Sequence, residues 1–107
     1  MEVEKAILAH LQYLENVQRF LDGGPYPPLT APTDCVLGRW IEEEGRVRYG
    51  QEVWFGELVQ LHKAFHGITE EAVKAQERGN LTEATHKIEE AYRLFGRIEY
   101  LLLRIEV

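Results

Sequence analysis

Three long stretches of this chain repeat apolar residues at spacings of three and four, the period of a helix with one buried face. Val3, Ile7, His10, Leu14, Val17 and Leu21 form the first stripe and predict a helix over about residues 3–21. Asp22-Gly23-Gly24-Pro25 ends it, with glycine past the last turn and proline beyond. Trp54, Leu58, Leu61, Phe65, Ile68, Ala72 and Ala75 form a second stripe, with Phe55, Val59, His62, His66 and Val73 along its edge. That pattern predicts a helix over about residues 51–78, closed by Gly79. Asn80 then caps a last helix, with Glu83 three places on in a near relative of the capping box. Its stripe is Leu81, Ala84, Ile88, Ala91, Phe95, Ile98, Leu102 and Ile105, widened by Leu94 and Leu101. Between the first two long helices, a loop with Pro27, Pro28 and Pro32 leads to a short helix. Thr33 or Asp34 is its expected cap, Val36, Leu37, Trp40 and Ile41 are its apolar residues, and Gly45 is its expected end. The expected fold is all-α: an antiparallel four-helix bundle of three long helices and one short one.

A chain of 107 residues suits one domain, 1–107, with a modest core that a bound metal would reinforce. The formal net charge of −6 argues against nucleic acid and against an anionic membrane surface as partners. A single cysteine forms no internal disulfide and asks for no oxidising compartment. With no apolar run long enough to span a bilayer and an acidic, amphipathic start, the expected location is the cytoplasm.

The chemistry concentrates in four side chains. His62 and His66 lie one turn apart, with Cβ atoms about 5–6 Å from each other on one helix face. Cys35 stands at a predicted helix N-terminus, where the dipole favours a thiolate. His10 lies on the inward stripe of the first helix. Taken singly, each has an ordinary reading: a lone cysteine is usually a small buried hydrophobe, and an inward histidine is usually a hydrogen-bonded core residue. Together, one thiolate and three imidazoles make a full tetrahedral set for Zn²⁺. His86, between Thr85 and Lys87, reads as exposed and uninvolved. Trp40, Trp54 and Phe65 are expected to pack around the site. Gly38 suggests a place where another helix approaches closely. Arg39 and the run Glu42, Glu43, Glu44 read as solvated surface.

The order His10, then Cys35-Val36-Leu37-Gly38-Arg39-Trp40, then His62-Lys63-Ala64-Phe65-His66 resembles the chemoreceptor zinc-binding domain. The resemblance covers nearly the whole chain. It implies Zn²⁺ ligation by His10, Cys35, His62 and His66, and homodimers of helical bundles. It also implies a bacterial sensory role attached to a chemoreceptor or a diguanylate cyclase effector, responding to zinc or to oxidation of the zinc-bound cysteine by hypochlorous acid. Many members carry a tryptophan shortly after the first histidine; here Tyr13 stands in that region. Neither a methyl-accepting coiled coil nor a cyclase is visible in these residues, which leaves a free-standing member or a fragment as alternatives.

Two other readings compete. A zinc hydrolase usually keeps a coordination position for water and a glutamate base between its paired histidines. Here four ligands fill the tetrahedron and Lys63, Ala64 and Phe65 lie between the pair, so no catalytic residue is assigned. A purely structural zinc that stabilises the bundle fits the same ligand set. A carboxylate-bridged di-iron bundle would need inward Glu-x-x-His pairs, whereas Glu70, Glu71, Glu83, Glu89 and Glu90 read as outward. For the homodimer, the wide apolar face of the last helix (Leu94, Leu101, Leu102, Leu103) is the candidate surface; the alternative is that these leucines complete the core of one chain.

Overall fold

A computed structural model describes residues 1–105. Among them all regular structure is helical, in four stretches compatible with a bundle. Helix α1 spans Val3–Leu21 and buries Val3, His10, Leu14 and Val17 of the expected stripe; Ile7 and Leu21 are half-buried, and Ala6 joins the buried face. Gly23 takes a φ of 98°, and the Gly24 amide reaches back to the Arg19 carbonyl at 2.7 Å, satisfying an orphan carbonyl of the last turn.

A 3₁₀ turn at Pro32–Asp34 introduces the short arm. Helix α2 (Val36–Trp40) runs on through a π turn at Ile41–Gly45 into α3 (Arg46–Tyr49). Two expectations change here. The cap of α2 is Cys35 itself, whose sulfur accepts from the Gly38 amide at 3.3 Å, in place of Thr33 or Asp34. Gly45 does not end the helix: it is buried, and a Cβ there would stand 2.8 Å from Trp40 and 2.9 Å from Phe55. Its lack of a side chain admits two aromatic rings and marks no stop.

Helix α4 (Val53–Glu77) carries both expected stripes, and α5 (Leu81–Leu103) packs along it. Gly79, at φ 78°, and Asn80, whose side-chain oxygen accepts from the Glu83 amide at 3.1 Å, make the short turn between them. The core runs through Leu14, Val17, Leu37, Leu58, Phe65, Val73, Ala91, Ile98 and Leu102. Burying a Phe or Leu side chain of this kind contributes about 1.5–3 kcal/mol. Exposed ion pairs Glu57–Arg97 and Glu71–Lys87 also join α4 to α5, each adding only about 0–1 kcal/mol. Leu94, Leu101 and Leu102 are buried within this one chain, so they complete its own core; Leu103 alone of that group is exposed. Leu81, expected inward, is also exposed, because it stands in the first turn of α5 beyond the reach of its neighbours. No described helix is long and apolar enough to cross a membrane.

Candidate metal centre

Three elements deliver the four side chains. His10 projects from the buried face of α1, Cys35 caps α2, and His62 and His66 occupy successive turns of α4. One ligand atom from each lies within 4.8 Å of all the others. Cys35 Sγ stands 3.0 Å from His62 Nε2 and 3.8 Å from His10 Nε2, and the Nε2 atoms of His62 and His66 are 3.1 Å apart. A tetrahedral zinc with imidazole and thiolate ligands has ligand-to-ligand edges of roughly 3.3–3.7 Å. The cluster is therefore close to the size that such an ion requires.

The second nitrogens of His10 and His66 are held by main-chain carbonyls. His10 Nδ1 donates to the Ala6 carbonyl at 2.7 Å, and His66 Nδ1 donates to the Thr30 carbonyl at 3.0 Å. Those bonds leave a lone pair on each Nε2, aimed at the centre, which is how an outer partner fixes a metal-binding tautomer. Sulfur and three Nε2 atoms then face one another with too few protons to bridge every contact, whereas one cation satisfies all four.

Burial shapes the protonation of the group. It pushes His62 down to about 3 and His66 down to about 4 from their ordinary value of 6.5. The neighbouring imidazoles reinforce the shift at His62, while the Thr30 bond opposes it at His66. His10 is lowered too, chiefly by burial, against its bond to Ala6. All three are neutral near pH 7, the form that ligates. The helix N-terminus was expected to favour the Cys35 thiolate. Burial outweighs it and pushes the thiol up, although the Gly38 and Leu37 amides and Arg39 pull the other way. The thiol also lies 3.5 Å from the Pro32 carbonyl. Metal binding here must displace a proton from sulfur.

Phe65 packs edge-on to His10 and His66, at ring separations of 5.6 and 5.7 Å, and so walls the site as expected. Tyr13 lies 5.2 Å from the His66 ring, and burial raises its phenol. Trp40 and Trp54 do not join them: they pack with Tyr49 and Phe55. Trp54 stands eight positions before His62 on one helix, roughly 12 Å of rise, too far along the axis to wall the same ion. Gly38 does mark a close approach, but of the 3₁₀ turn and not of another helix. A Cβ at Gly38 would overlap the Pro32 carbonyl oxygen. His86 is exposed and apart from the group. The Ala6, Thr30 and Pro32 carbonyls had no signal in the sequence, since any residue type supplies a carbonyl.

A family model described as the chemoreceptor zinc-binding domain matches residues 10–73, a span that begins at His10 and contains Cys35, His62 and His66. Comparison with curated proteins and with solved structures finds no match. A three-histidine, one-cysteine cluster of zinc-binding size, inside more than half of the chain matched to that family, identifies zinc as its metal: the chain belongs to the chemoreceptor zinc-binding domain family.

Proposed function

We propose that residues 1–107 form a single sensory domain in which His10, Cys35, His62 and His66 hold Zn²⁺, and that loss of the Cys35 ligand is its signal. The observation that carries this reading is the convergence of four donor atoms from α1, the α2 cap and α4 within 4.8 Å. When bound, zinc would supply a cation that all four donors can ligate and that holds sulfur as thiolate. Cys35 is the one member whose own chemistry changes under oxidant. With hypochlorous acid, its sulfur attacks chlorine, the S–Cl bond forms, and the Cl–O bond breaks to release hydroxide. Hydroxide then displaces chloride, leaving a sulfenic acid; sulfur has lost two electrons and chlorine has gained them. A sulfenic acid ligates more weakly than a thiolate, which frees the cap of α2 and biases the arm between two arrangements.

The bundle is read as antiparallel, supported by the tight Arg78–Asn80 turn between two helices packed along each other. The domain is read as cytoplasmic and homodimeric, regulating a chemoreceptor or a diguanylate cyclase. Val53, Tyr100 and Leu103, near the α4 start and the α5 end, are among the exposed apolar residues available for pairing. Zinc sensing without oxidation uses the same arm, with occupancy set by free zinc. The deciding experiment is metal analysis of protein purified without added zinc, beside Cys35→Ala, followed by titration with hypochlorous acid while released zinc is measured. One zinc per chain, lost in Cys35→Ala and released on oxidation, is expected. Zinc retained after Cys35 is oxidised would exclude the redox reading, and a four-coordinate site with no solvent ligand would exclude hydrolysis.

A further inference from the structure

The three imidazoles are buried and the sulfur is only half-buried. His10, His62 and His66 are 3%, 2% and 4% exposed, whereas Cys35 is half-buried. A cavity of about 250 Å³ reaches Cys35; Tyr13, Asp34, Val36 and Arg39 line it, and so do His10 and His66. Arg39 and Asp34 are the two formally charged residues of its lining. The Arg39 guanidinium donates to the Asp34 main-chain carbonyl at 2.9 Å, and no carboxylate lies within ion-pair distance of it among the described residues. Its charge is therefore not neutralised by a partner. The chain as a whole carries −6 and repels anions. Arg39 puts an unpaired cation beside the sulfur in that lining, with the Asp34 carboxylate as its one formal counter-charge.

We propose that this cavity is the port through which reagents reach Cys35, and that Arg39 makes it selective for small anionic electrophiles and oxidants, with Asp34 opposing. The proposal deepens the reading above and rests on Cys35 being the reactive ligand. For an anionic peroxide such as peroxymonocarbonate, the Cys35 thiolate attacks the outer oxygen. The S–O bond forms and the O–O bond breaks. The hydroxyl stays on sulfur as a sulfenic acid, and carbonate leaves with the electron pair. Sulfur is oxidised by two electrons and the peroxide is reduced.

The test uses two alkylating agents that differ in charge. Iodoacetate and iodoacetamide both form an S–C bond on Cys35 and expel iodide, so their rate ratio reports how the port treats charge. A change in the thiol's own ionisation alters both rates equally and cancels. On the zinc-loaded full chain at low ionic strength, followed by mass spectrometry of Cys35, Arg39→Gln is expected to lower the iodoacetate-to-iodoacetamide ratio about two- to fivefold. Arg39→Lys should retain the ratio, Asp34→Asn should raise it, and salt near about 0.5 M should level the variants. An equal ratio in the parent and Arg39→Gln overturns the proposal, as does a loss in Arg39→Lys matching that in Arg39→Gln. Failure of both reagents to modify Cys35 would show that the cavity is no port. Zinc release on oxidation is read separately: its absence would sink the sensory reading and leave the charge ratio standing.

Discussion

The arm from Cys35 to Tyr49 is fixed at its two ends by different chemistry. At its start, a sulfur faces three buried imidazoles, polar groups whose burial costs free energy unless something satisfies them. At its far end, Trp40 and Tyr49 pack with Trp54 and Phe55 around the bare Cα of Gly45. The aromatic end needs no ligand, and the metal end is complete only with a cation. Between the two anchors, Leu37 and Ile41 sink into the common core. One anchor is permanent and the other conditional, which is the arrangement a switch needs.

The largest effect should come from breaking the permanent anchor. Phe55 is 2% exposed, and Phe55→Ala is expected to cost about 3–5 kcal/mol. Urea unfolding measures this, and metal analysis of the folded fraction should still find one zinc; a chain that loses zinc in proportion would show that the two ends act as one. Emptying the conditional anchor comes next. Free zinc at a hundred times its Kd contributes about 2.7 kcal/mol, so a chelator should lower Tm by roughly 10–20 °C. Hydrogen exchange on chelated protein should rise more in Val36–Trp40 than in Arg46–Tyr49; uniform loosening of the arm would erase the distinction between its ends.

Acid gives a graded version of the same contrast. His62 and His66 stay neutral in the folded chelated protein down to about 3 and 4, while the unfolded chain takes up protons below the ordinary 6.5. The unfolded state binds more protons across that window, so stability is full above about 6.5 and falls as pH drops toward 4. Each of the two histidines removes up to about 1.4 kcal/mol per pH unit. Replacing both by glutamine should flatten the profile; an unchanged acid slope in that variant would mean that other groups drive it. The smallest expected effect lies outside both anchors. A Cβ at Gly67, on the exposed face of α4 beside His66, meets nothing within 4 Å. Gly67→Ala should therefore add up to about 1 kcal/mol to stability and leave zinc affinity unchanged, as calorimetry and a zinc titration would show.

Much of this was legible before any coordinates. The stripes of α1, α4 and α5 follow from a strong three-and-four period, and the turn at Gly79-Asn80 follows from local cap chemistry. The four donor side chains stood out because histidine and cysteine are rare here and their spacing is restrictive. The arm was read less well. A short apolar run does not announce a π turn, so the sequence carries no sign of α3, and Gly45 reads as a stop where the structure makes it a packing site. Periodicity placed Trp54 on the same stripe as the residues beside the site, but distance along a helix separates it from them. Cys35 showed how two local effects compete: the N-terminal position favours the thiolate, and burial, invisible in the sequence, prevails. Arg39 looked like plain surface because nothing in its neighbours reveals a cavity.

The overlap at Gly38 bears on how such a site can diversify. Position 38 admits only glycine for a reason of backbone clearance, and positions 10, 35, 62 and 66 are tied to ligand chemistry, yet Val36 and Arg39 within the same hexapeptide are exposed. Substitution at those two positions removes no donor atom and leaves the Gly38 clearance intact. Exchange at those positions would thus retune what the cysteine answers to while the donor set is kept.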